Sequence, residues 1–351
     1  MPSTMSDVAR AAGVSVMTVS NVLAGRKRVS DETRRRVLRA VDDLDYEVNL
    51  TARHLRAGRT DTIALVVPGF DHPYFGELAT RLADRLAGSG RHLVVERGGA
   101  SREGELEALS LARLHLYDGV LLSVVGMSAQ DVDQLRTTVP LVMLGELDMP
   151  RRFDHVHMDN VAGARLATAR LLAAGSRRVA VVGGTLEAGR GMPTARTVGW
   201  ERAHRDAGLP ADPALVTGPG ATDLATGAAA VRRLLAAGIP FDGVFAVTDT
   251  LAAGALAGLA EAGLRVPQDV QVIGFDNLAS SEFTVPPLST VDPGHDVMVD
   301  EALRLLDRLI DADGHAEPEH VTGPVSLALR ATTRPLPGGQ GATAPASPRR
   351  P

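Results

Sequence analysis

Acidic side chains stand at or shortly after the carboxyl ends of several predicted strands of this 351-residue chain. Because ligands of α/β sheets bind outside the carboxyl ends of the strands, such side chains can converge on one molecule. Carboxylates and a guanidinium form charge-assisted hydrogen bonds with hydroxyl groups, while aromatic faces cover the apolar side of a sugar ring. This combination favours a small polyol or sugar as the ligand. The residues concerned are Asp71, Glu146, Asp249 and Asp276, together with Arg196, Phe75 and Trp200.

Motifs of the common catalytic and metal sites are missing from the sequence. It contains neither GxSxG nor HExxH, and its glycine-rich segments at 183–191 and 218–223 match neither a P-loop nor a complete dinucleotide-binding fingerprint. The ten histidines do not fall at metal-ligand spacing, and the absence of cysteine excludes thiolate nucleophiles and disulfides. We therefore expect a binding protein rather than an enzyme, with no cofactor and no metal.

The segment from Thr60 onward alternates strands with amphipathic helices, which is the pattern of parallel α/β sheets. The pattern occurs twice, and a DGV strand stands at the same place in each half. Two similarly wound lobes predict a cleft between them, lined by loops at the carboxyl ends of the strands. The predicted strands are 62–68, 91–96, 118–124 and 140–146 in the first half, and 178–184, 213–218, 242–248 and 271–276 in the second.

The N-terminal segment has the spacing of three short helices. Thr4 and Asp7 resemble a capping box that starts the first helix, and Gly13 stops it. Ser15 caps a second helix that runs through Leu23, and Ser30 starts a third. Two short helices joined by a tight turn, with a third that closes the core, predict helix-turn-helix geometry. The apolar side chains of the first two helices are Val8, Ala9, Ala11, Ala12, Val19, Val22 and Leu23.

The charge of the chain is distributed unevenly. Residues 1–60 carry eleven Arg and Lys against seven Asp and Glu, whereas the remaining residues carry 26 against 35. A basic head on an acidic body is the electrostatic footprint of a segment that meets a polyanion such as DNA.

The blocks DVARAAGVSVMTVSNVLAG, VSDETRRRVLRAVDDLDY and NLTARHLRAGRT resemble the DNA-binding head and hinge of the lactose-repressor (LacI/GalR) family of bacterial transcription regulators. The resemblance continues to about residue 334. It implies that the second helix enters the major groove, where Val16, Met17 and Asn21 read bases. Some members place Tyr, Gln and Arg there, whereas Val16 and Met17 can only contact thymine methyl groups or read shape. The other implied DNA contacts of the head are Ser15, Thr18, Ser20 and Arg28.

Residues 49–58 resemble the hinge helix of the family, which orders when two subunits meet on DNA. Leu55 matches the leucine that wedges into the minor groove and kinks the duplex; a position tucked against its own effector domain is the alternative for Leu55. Ala52 allows close packing of the paired hinges, while Asn49 and Arg53 lie at the DNA. The proline that usually precedes the hinge is replaced by Val48, which leaves the linker less restricted.

The resemblance also implies which residues face the effector. The loop from Asp71 to Phe75 faces the ligand in the family, and Arg196 lies in TARTVGW, which matches the family's Arg-x-x-Gly-aromatic segment. Asp159 lies in the crossover into the second lobe, and Thr248 replaces a more usual asparagine. The expected effector-binding residues are Asp71, Tyr74, Phe75, Glu146, Asp159, Arg196, Trp200, Asp249 and Asp276.

Alternatives stay open for several of these residues. Asp71 and Asp276 could instead cap the helices that follow them, as Asp often does after a strand. Trp200 fits the hydrophobic core as well as the cleft, and His72 is expected to be an uninvolved loop residue. A buried Arg196 needs a partner, which either the ligand or an acidic neighbour must supply.

The expected organisation is a small all-α helix-turn-helix head at 1–46, a hinge at 47–59, a periplasmic-binding-protein-like α/β effector domain with two parallel-sheet lobes at 60–334, and a disordered tail at 335–351. The tail has no leucine heptads, so a dimer rather than a tetramer is expected. No signal peptide or membrane span is recognised, which favours the cytoplasm.

The expected function is that of a sequence-specific repressor, which binds a palindromic operator as a homodimer and is controlled by a small molecule in the cleft. A sugar is the expected effector, and it is expected to relieve repression. The alternatives are a nucleobase or other metabolite acting as a corepressor, and a sugar-binding protein without a regulatory role.

Overall fold

The structure, a computed structural model, describes residues 3–23, 29–46, 59–110, 114, 116–145, 149–189, 191–312 and 316–337. The chain separates into two compact units, residues 1–60 and residues 61–351. Within the described ranges, no helix combines the length and the apolar character that a membrane crossing requires.

The described residues of the first unit form three helices, α1 (Met5–Ala12), α2 (Val16–Leu23) and α3 (Asp31–Asp43). The predicted capping box is present: the Thr4 hydroxyl accepts from the Asp7 N–H, and the Asp7 carboxylate accepts from the Thr4 N–H. Gly13 ends α1 with a left-handed φ of 62°, which glycine adopts without strain. The Ser30 hydroxyl accepts from the Thr33 N–H and so starts α3.

A small apolar core holds the three helices together, with residues from each. Ala11 is exposed rather than buried, because it lies on the face of α1 opposite the core, and Leu23 packs against the core but stays half-buried. The three-helix arrangement confirms the predicted helix-turn-helix head. The buried residues of this core are Val8, Ala9, Ala12, Val19, Val22, Val37, Ala40 and Tyr46.

The second unit contains two lobes, each built on a six-stranded sheet. The first sheet has the order β11-β5-β4-β3-β1-β2 and is parallel throughout. Its strands are β1 (Thr62–Val67), β2 (His92–Arg97), β3 (Gly119–Val124), β4 (Leu141–Gly145), β5 (Asp154–Met158) and β11 (His320–Gly323). Where its residues are described, this lobe has the helices α4 (Pro73–Leu86), α5 (Arg102–Ala108), α6 (Ala129–Gln134) and α11 (His295–Asp311).

The second sheet has the order β12-β10-β9-β8-β6-β7 and is parallel except for the edge strand β12. Its strands are β6 (Val179–Val182), β7 (Val216–Thr217), β8 (Gly243–Ala246), β9 (Gln271–Phe275), β10 (Ser289–Asp292) and β12 (Ser326–Ala328). Its helices are α7 (Asn160–Ala173), α8 (Met192–Asp206), α9 (Leu224–Ala236) and α10 (Asp249–Glu261), with 3-10 turns at Pro213–Leu215 and Ala279–Phe283.

The strand predicted at 213–218 is mostly a 3-10 turn. Asp212 caps this turn by accepting from the Ala214 N–H at 3.0 Å, and Pro213 has no N–H to offer a sheet. Only Val216 and Thr217 remain to pair with β6. The other seven predicted strands are present with small differences at their ends.

The chain passes between the lobes three times, from β5 to α7, from β10 to α11 and from β11 to β12. The Arg308 guanidinium of α11 donates to the buried Asp154 carboxylate of β5 at 2.7 Å, which fixes this helix to the first sheet. Helix α7 packs closely on the second sheet, since a Cβ on Gly163 would lie 2.7 Å from a ring carbon of Phe275. The predicted pair of parallel-sheet lobes is therefore confirmed.

Candidate functional site

Helix α2 turns one face to the core of the head and the other to solvent. Val19 and Val22 are buried, whereas Val16 and Met17 are 37% and 68% exposed. Apolar side chains at the start of an exposed helix can contact thymine methyl groups in a major groove. The structure therefore presents the predicted base readers Val16 and Met17 on an accessible surface.

Hydroxyl side chains flank this apolar pair in the sequence of the helix. The Ser15 hydroxyl accepts from the Thr18 N–H at 3.1 Å and lies 2.9 Å from the Thr18 hydroxyl, so it caps α2. Ser20 and Asn21 follow within the same helix and are half-buried. All predicted DNA-contacting residues of the described head thus lie along α2 and its cap.

Some predicted site residues lie outside the described residues. Most of the predicted hinge and residues 338–351 of the predicted tail also lie outside them. The individual residues concerned are Arg28, Asn49, Ala52, Arg53, Leu55 and Glu146.

A cavity of about 530 Å³ lies between the two lobes of the second unit. This volume falls within the range of roughly 300 to 1,000 Å³ that is usual for small-molecule sites. The first lobe supplies loops that follow its strands, and the second lobe supplies the start of α8 and the ends of β8 and β9. Five predicted effector residues line it, namely Asp71, Tyr74, Phe75, Arg196 and Asp276.

Arg196 and Asp276 form a buried pair at the floor of this cavity. The Arg196 side chain is 1% exposed, and its Nη1 lies 3.6 Å from an Asp276 carboxylate oxygen. Nε donates to Asn160 Oδ1 at 2.8 Å, and Nη1 also donates to the Val247 carbonyl. The guanidinium carbon lies 3.5 Å from the centre of the Phe275 ring. The protein itself therefore supplies the partners that a buried arginine requires.

Asp276 does not cap a helix. Its backbone has a φ of 123°, a conformation that only glycine adopts readily, and its carbonyl accepts from His295 Nε2. The strained backbone turns the side chain toward Arg196 at the end of β9. Asp71 is not a cap either, because His72 occupies the cap position of α4, where Nδ1 accepts from the Tyr74 N–H at 3.3 Å.

The start of α4 brings three rings together in the first lobe. The rings of Tyr74 and Phe75 are 5.1 Å apart and nearly perpendicular, and the His72 ring lies 6.0 Å from Phe75. Burial and then the positive charge of Arg196 lower the pKa of His72, against a smaller opposing effect of Asp71. The imidazole is therefore neutral at neutral pH, as its role as an acceptor requires. Contrary to our expectation, His72 lines the cavity.

The loop after β3 forms another wall and is held by Glu105 of α5. This carboxylate is fully buried and accepts from three consecutive backbone N–H groups, those of Val125, Gly126 and Met127, at 2.8, 2.7 and 2.9 Å. A Cβ on Gly126 would lie 2.4 Å from the Ser101 carbonyl carbon, so the loop also touches the start of α5. Val125, which lines the cavity, is positioned by these bonds.

Trp200 lies in the core of the second lobe rather than in the cleft. It is fully buried, its Nε1–H donates to the Val179 carbonyl at 2.8 Å, and its ring centre lies 4.7 Å from that of His204. Because Trp200 is one helical turn beyond Arg196, it points into the same lobe but further from the cavity. The core alternative therefore explains Trp200.

Asp249 and Asp159 also do not line the cavity. Asp249 is 2% exposed, and its carboxylate accepts from the Leu278 N–H at 2.9 Å and from the hydroxyls of Ser281 and Thr290. Burial raises the pKa of Asp249, while these hydrogen bonds and the charge of Arg330 oppose the rise. Asp159 caps α7 by accepting from the Ala162 N–H at 2.9 Å.

Polar residues outside the predicted effector-binding set also line the cavity. Arg97, Ser123 and Thr222 line it, as does Thr248, whose hydroxyl accepts from the Leu251 N–H and caps α10. Arg97 is the last residue of β2, and the predicted strand stopped one residue before it. The signal that could have found Arg97 is the strand end itself. No group of three potential metal ligands occurs among the described residues.

Comparison with known proteins matches both units. Residues 4–49 match the family described as bacterial regulatory proteins, lacI family, and residues 168–333 match the periplasmic binding protein-like domain. The transcriptional regulator AscG of Escherichia coli K12 is 32% identical over 327 residues, which cover 92% of this chain and 96% of AscG. The transcriptional regulator CelR of Thermobifida fusca is 36% identical over 315 residues, or 86% of this chain and 90% of CelR.

Solved structures share the fold at similar identity. A transcriptional regulator of the LacI family from Sanguibacter keddieii has a TM-score of 0.72 and 39% identity, covering 78% of this chain and 99% of that one. A complex of the regulator CelR with cellobiose has a TM-score of 0.69 and 32% identity, covering 94% of this chain and 99% of that one. The relatives are transcriptional regulators and not enzymes.

Proposed function

The chain belongs to the LacI family of DNA-binding transcriptional regulators, and from this premise we propose that it is a homodimeric repressor of a palindromic operator, released by a sugar. The observation that carries the sugar proposal is the convergence of carboxylates and aromatic rings on one cavity. Asp71 and Asp276 offer acceptors for hydroxyls, while Tyr74 and Phe75 offer apolar faces. The relative CelR, whose solved complex contains cellobiose, supports this ligand class.

Operator reading is assigned to α2. Val16 and Met17 present the apolar surface, and Asn21 can pair with adenine. Ser15, Thr18, Ser20 and Arg28 are proposed to contact the backbone of the DNA. An operator half-site read by Val16 and Met17 should contain thymine at the positions that face them.

The homodimer is supported by an exposed apolar pair in the second lobe. Phe283, the last residue of a 3-10 turn, is 82% exposed, and Val285, two residues further along the chain, is 93% exposed. Large apolar side chains grouped at a surface mark interaction sites, and one copy on a two-fold axis would bury them against the other. A two-fold dimer requires a palindromic operator, since each head reads one half-site.

The proposed division of labour follows the chain. Residues 1–46 form the head, 47–59 the hinge with Asn49, Ala52, Arg53 and Leu55 at the DNA, 60–334 the effector domain and 335–351 a tail. Sugar binding changes the angle between the lobes and with it the spacing of the two hinges, which shifts the equilibrium between bound and free operator. A protein that acts on operator DNA works in the cytoplasm.

The test is a titration of the full-length protein onto DNA fragments from its own gene neighbourhood, at one fixed salt concentration, with and without sugars and nucleobases. We expect one palindromic site whose affinity falls when a single sugar is added. Binding strengthened only by a nucleobase would support the corepressor alternative instead. Sugar binding without any specific DNA site would support a sugar-binding protein without a regulatory role.

A further inference from the structure

Arg97 brings a positive charge to the edge of the cavity. It is the last residue of β2, the edge strand of the first sheet, and its side chain is exposed along the cavity wall. None of the ion pairs or side-chain hydrogen bonds found among the described residues involves its guanidinium. Its donors are therefore available to a molecule in the cavity.

The other arginine of the cavity is already engaged. Arg196 is 1% exposed and faces Asp276, while Asn160 and the Val247 carbonyl take up its donors. His72 adds no charge at neutral pH, because desolvation lowers its pKa and its Nδ1 accepts a backbone hydrogen bond. With Asp276 paired to Arg196, the charges left for a ligand are those of Asp71 and Arg97.

These two charges suit different parts of one ligand. The Asp71 carboxylate accepts from hydroxyl groups, whereas the planar fork of a guanidinium matches the oxygens of a carboxylate or phosphate. The hydroxyls of Ser123 and Thr222 also line the cavity and can donate to the same anion. A neutral ligand offers this guanidinium no negatively charged oxygens, so the fork favours an anionic ligand over a neutral one.

We propose that the effector is an anionic sugar, with a phosphate or carboxylate group bound by Arg97. This inference rests on the proposed function, because it assumes that a sugar occupies the cavity. It makes Arg97 the residue that separates anionic from neutral sugars, while Asp71 and the rings of Tyr74 and Phe75 hold the rest of the molecule.

The test uses the full-length protein and matched ligands in isothermal titration calorimetry. Glucose, glucose 6-phosphate and glucuronate form one set, and the corresponding compounds of galactose and mannose form two more. The proteins are the wild type, Arg97→Gln, Arg97→Lys and the control Arg202→Gln, whose arginine is exposed on α8 outside the cavity. Because Arg97 makes no contact that the fold needs, Arg97→Gln should unfold at the wild-type temperature.

We expect one anionic sugar to bind the wild type and the Arg202→Gln variant about 10- to 100-fold more tightly than its neutral counterpart. Arg97→Gln should remove this preference, and Arg97→Lys should keep only part of it, because an ammonium lacks the fork. The phosphate and uronate members tell which anion is preferred.

Three results would overturn the inference. If neutral and anionic sugars bind the wild type equally, Arg97 is compensated by Asp71 and the inference fails while the sugar proposal stands. If Arg97→Gln keeps the preference, another group binds the anion. If no sugar binds, the sugar proposal fails and this inference fails with it.

Discussion

Arg196 and Trp200 lie one turn apart on the same buried face of α8, but only Arg196 reaches the cavity between the lobes. The next residue on this face, His204, is also buried and does not line the cavity. The face therefore changes its role along the helix, from ligand cavity at the first turns to hydrophobic core beyond them. Each further turn moves a side chain about 5.4 Å along the helix, away from the cavity.

Removing the charge of Arg196 should destabilise the protein strongly. In Arg196→Met, the Asp276 carboxylate stays buried without its cation, so we expect the free energy of unfolding to fall by about 3 to 5 kcal/mol. Urea denaturation measures this change. The exposed Arg202→Met on the same helix is the control and should stay within about 0.5 kcal/mol of the wild type. Equal unfolding free energies of the two variants would mean that the buried Asp276 carboxylate is not stabilised by the charge of Arg196.

Acid should destabilise the folded protein through His155. Burial and then the charges of His157 and His320 lower the pKa of His155 to about 3. Near pH 6.5 the imidazole of the unfolded chain binds a proton, whereas that of the folded protein does not. The contribution of the neutral His155 to the free energy of unfolding is therefore complete above pH 6.5 and is lost progressively as the pH falls below it. Between pH 7 and pH 5 the loss should be about 2 kcal/mol.

Urea denaturation of His155→Gln at several pH values checks this loss. As the pH falls from 7 to 5, the unfolding free energy of the wild type should fall by about 2 kcal/mol relative to that of His155→Gln. The exposed His92→Gln variant should follow the wild type at every pH. A constant difference between wild type and His155→Gln would show that His155 binds a proton as readily in the folded as in the unfolded state, against the lowered pKa.

Neutralising Glu105 should loosen the loop at 125–127. A glutamine keeps one acceptor oxygen but turns an NH₂ group toward a backbone N–H, which leaves buried donors facing each other. Glu105→Gln should lose about 1 to 3 kcal/mol of unfolding free energy and exchange these amide hydrogens faster. Hydrogen exchange of the three amides is the measurement, with the exposed Glu103→Gln as control. Unchanged protection of Val125 would contradict the assignment.

Met17 should matter for DNA and not for folding. Since it is 68% exposed, Met17→Ala should change the unfolding free energy by less than about 0.5 kcal/mol. Binding to the specific operator should weaken by about 1 to 3 kcal/mol, with little change on random DNA. Leu38→Ala, which removes a 44% exposed side chain from α3, is the matched control. An equal loss of operator affinity in both variants would contradict the role of Met17 in reading the operator.

A carboxylate introduced at position 285 should dissociate the proposed dimer into monomers. Val285→Asp should sediment as a monomer and bind the palindromic operator more weakly, because two carboxylates would face each other across the two-fold axis. Sedimentation velocity gives the oligomeric state. Leu166→Asp, on the exposed side of α7, should remain dimeric. A Val285→Asp protein that stays dimeric would move the interface elsewhere.

Local signals in the sequence predicted most of the fold. The Thr4 and Asp7 capping box, the stop at Gly13 and the repeated DGV strands depend on neighbouring residues, so their patterns can be read directly. The predicted strand at 213–218 failed because Asp212 and Pro213 favour a turn over a sheet.

The site was harder to predict, because the type of a residue and its position after a strand do not tell in which direction its side chain points. Asp249 and Asp276 both follow a strand, yet Asp249 turns inward to three donors while a left-handed backbone turns Asp276 to Arg196. Arg97 was missed because a long charged side chain at an edge strand resembles ordinary surface. These distinctions arise only from contacts between distant parts of the chain.

The three chain crossings between the lobes limit how the second unit can move. A single connection would let one lobe swing in any direction, whereas three connections at β5–α7, β10–α11 and β11–β12 act as parallel tethers. Sliding and twisting stretch at least one tether, so the easy motion is rotation about a single axis. For a molecule bound in the cavity, opening and closing of the two lobes is then the motion of least resistance in the second unit.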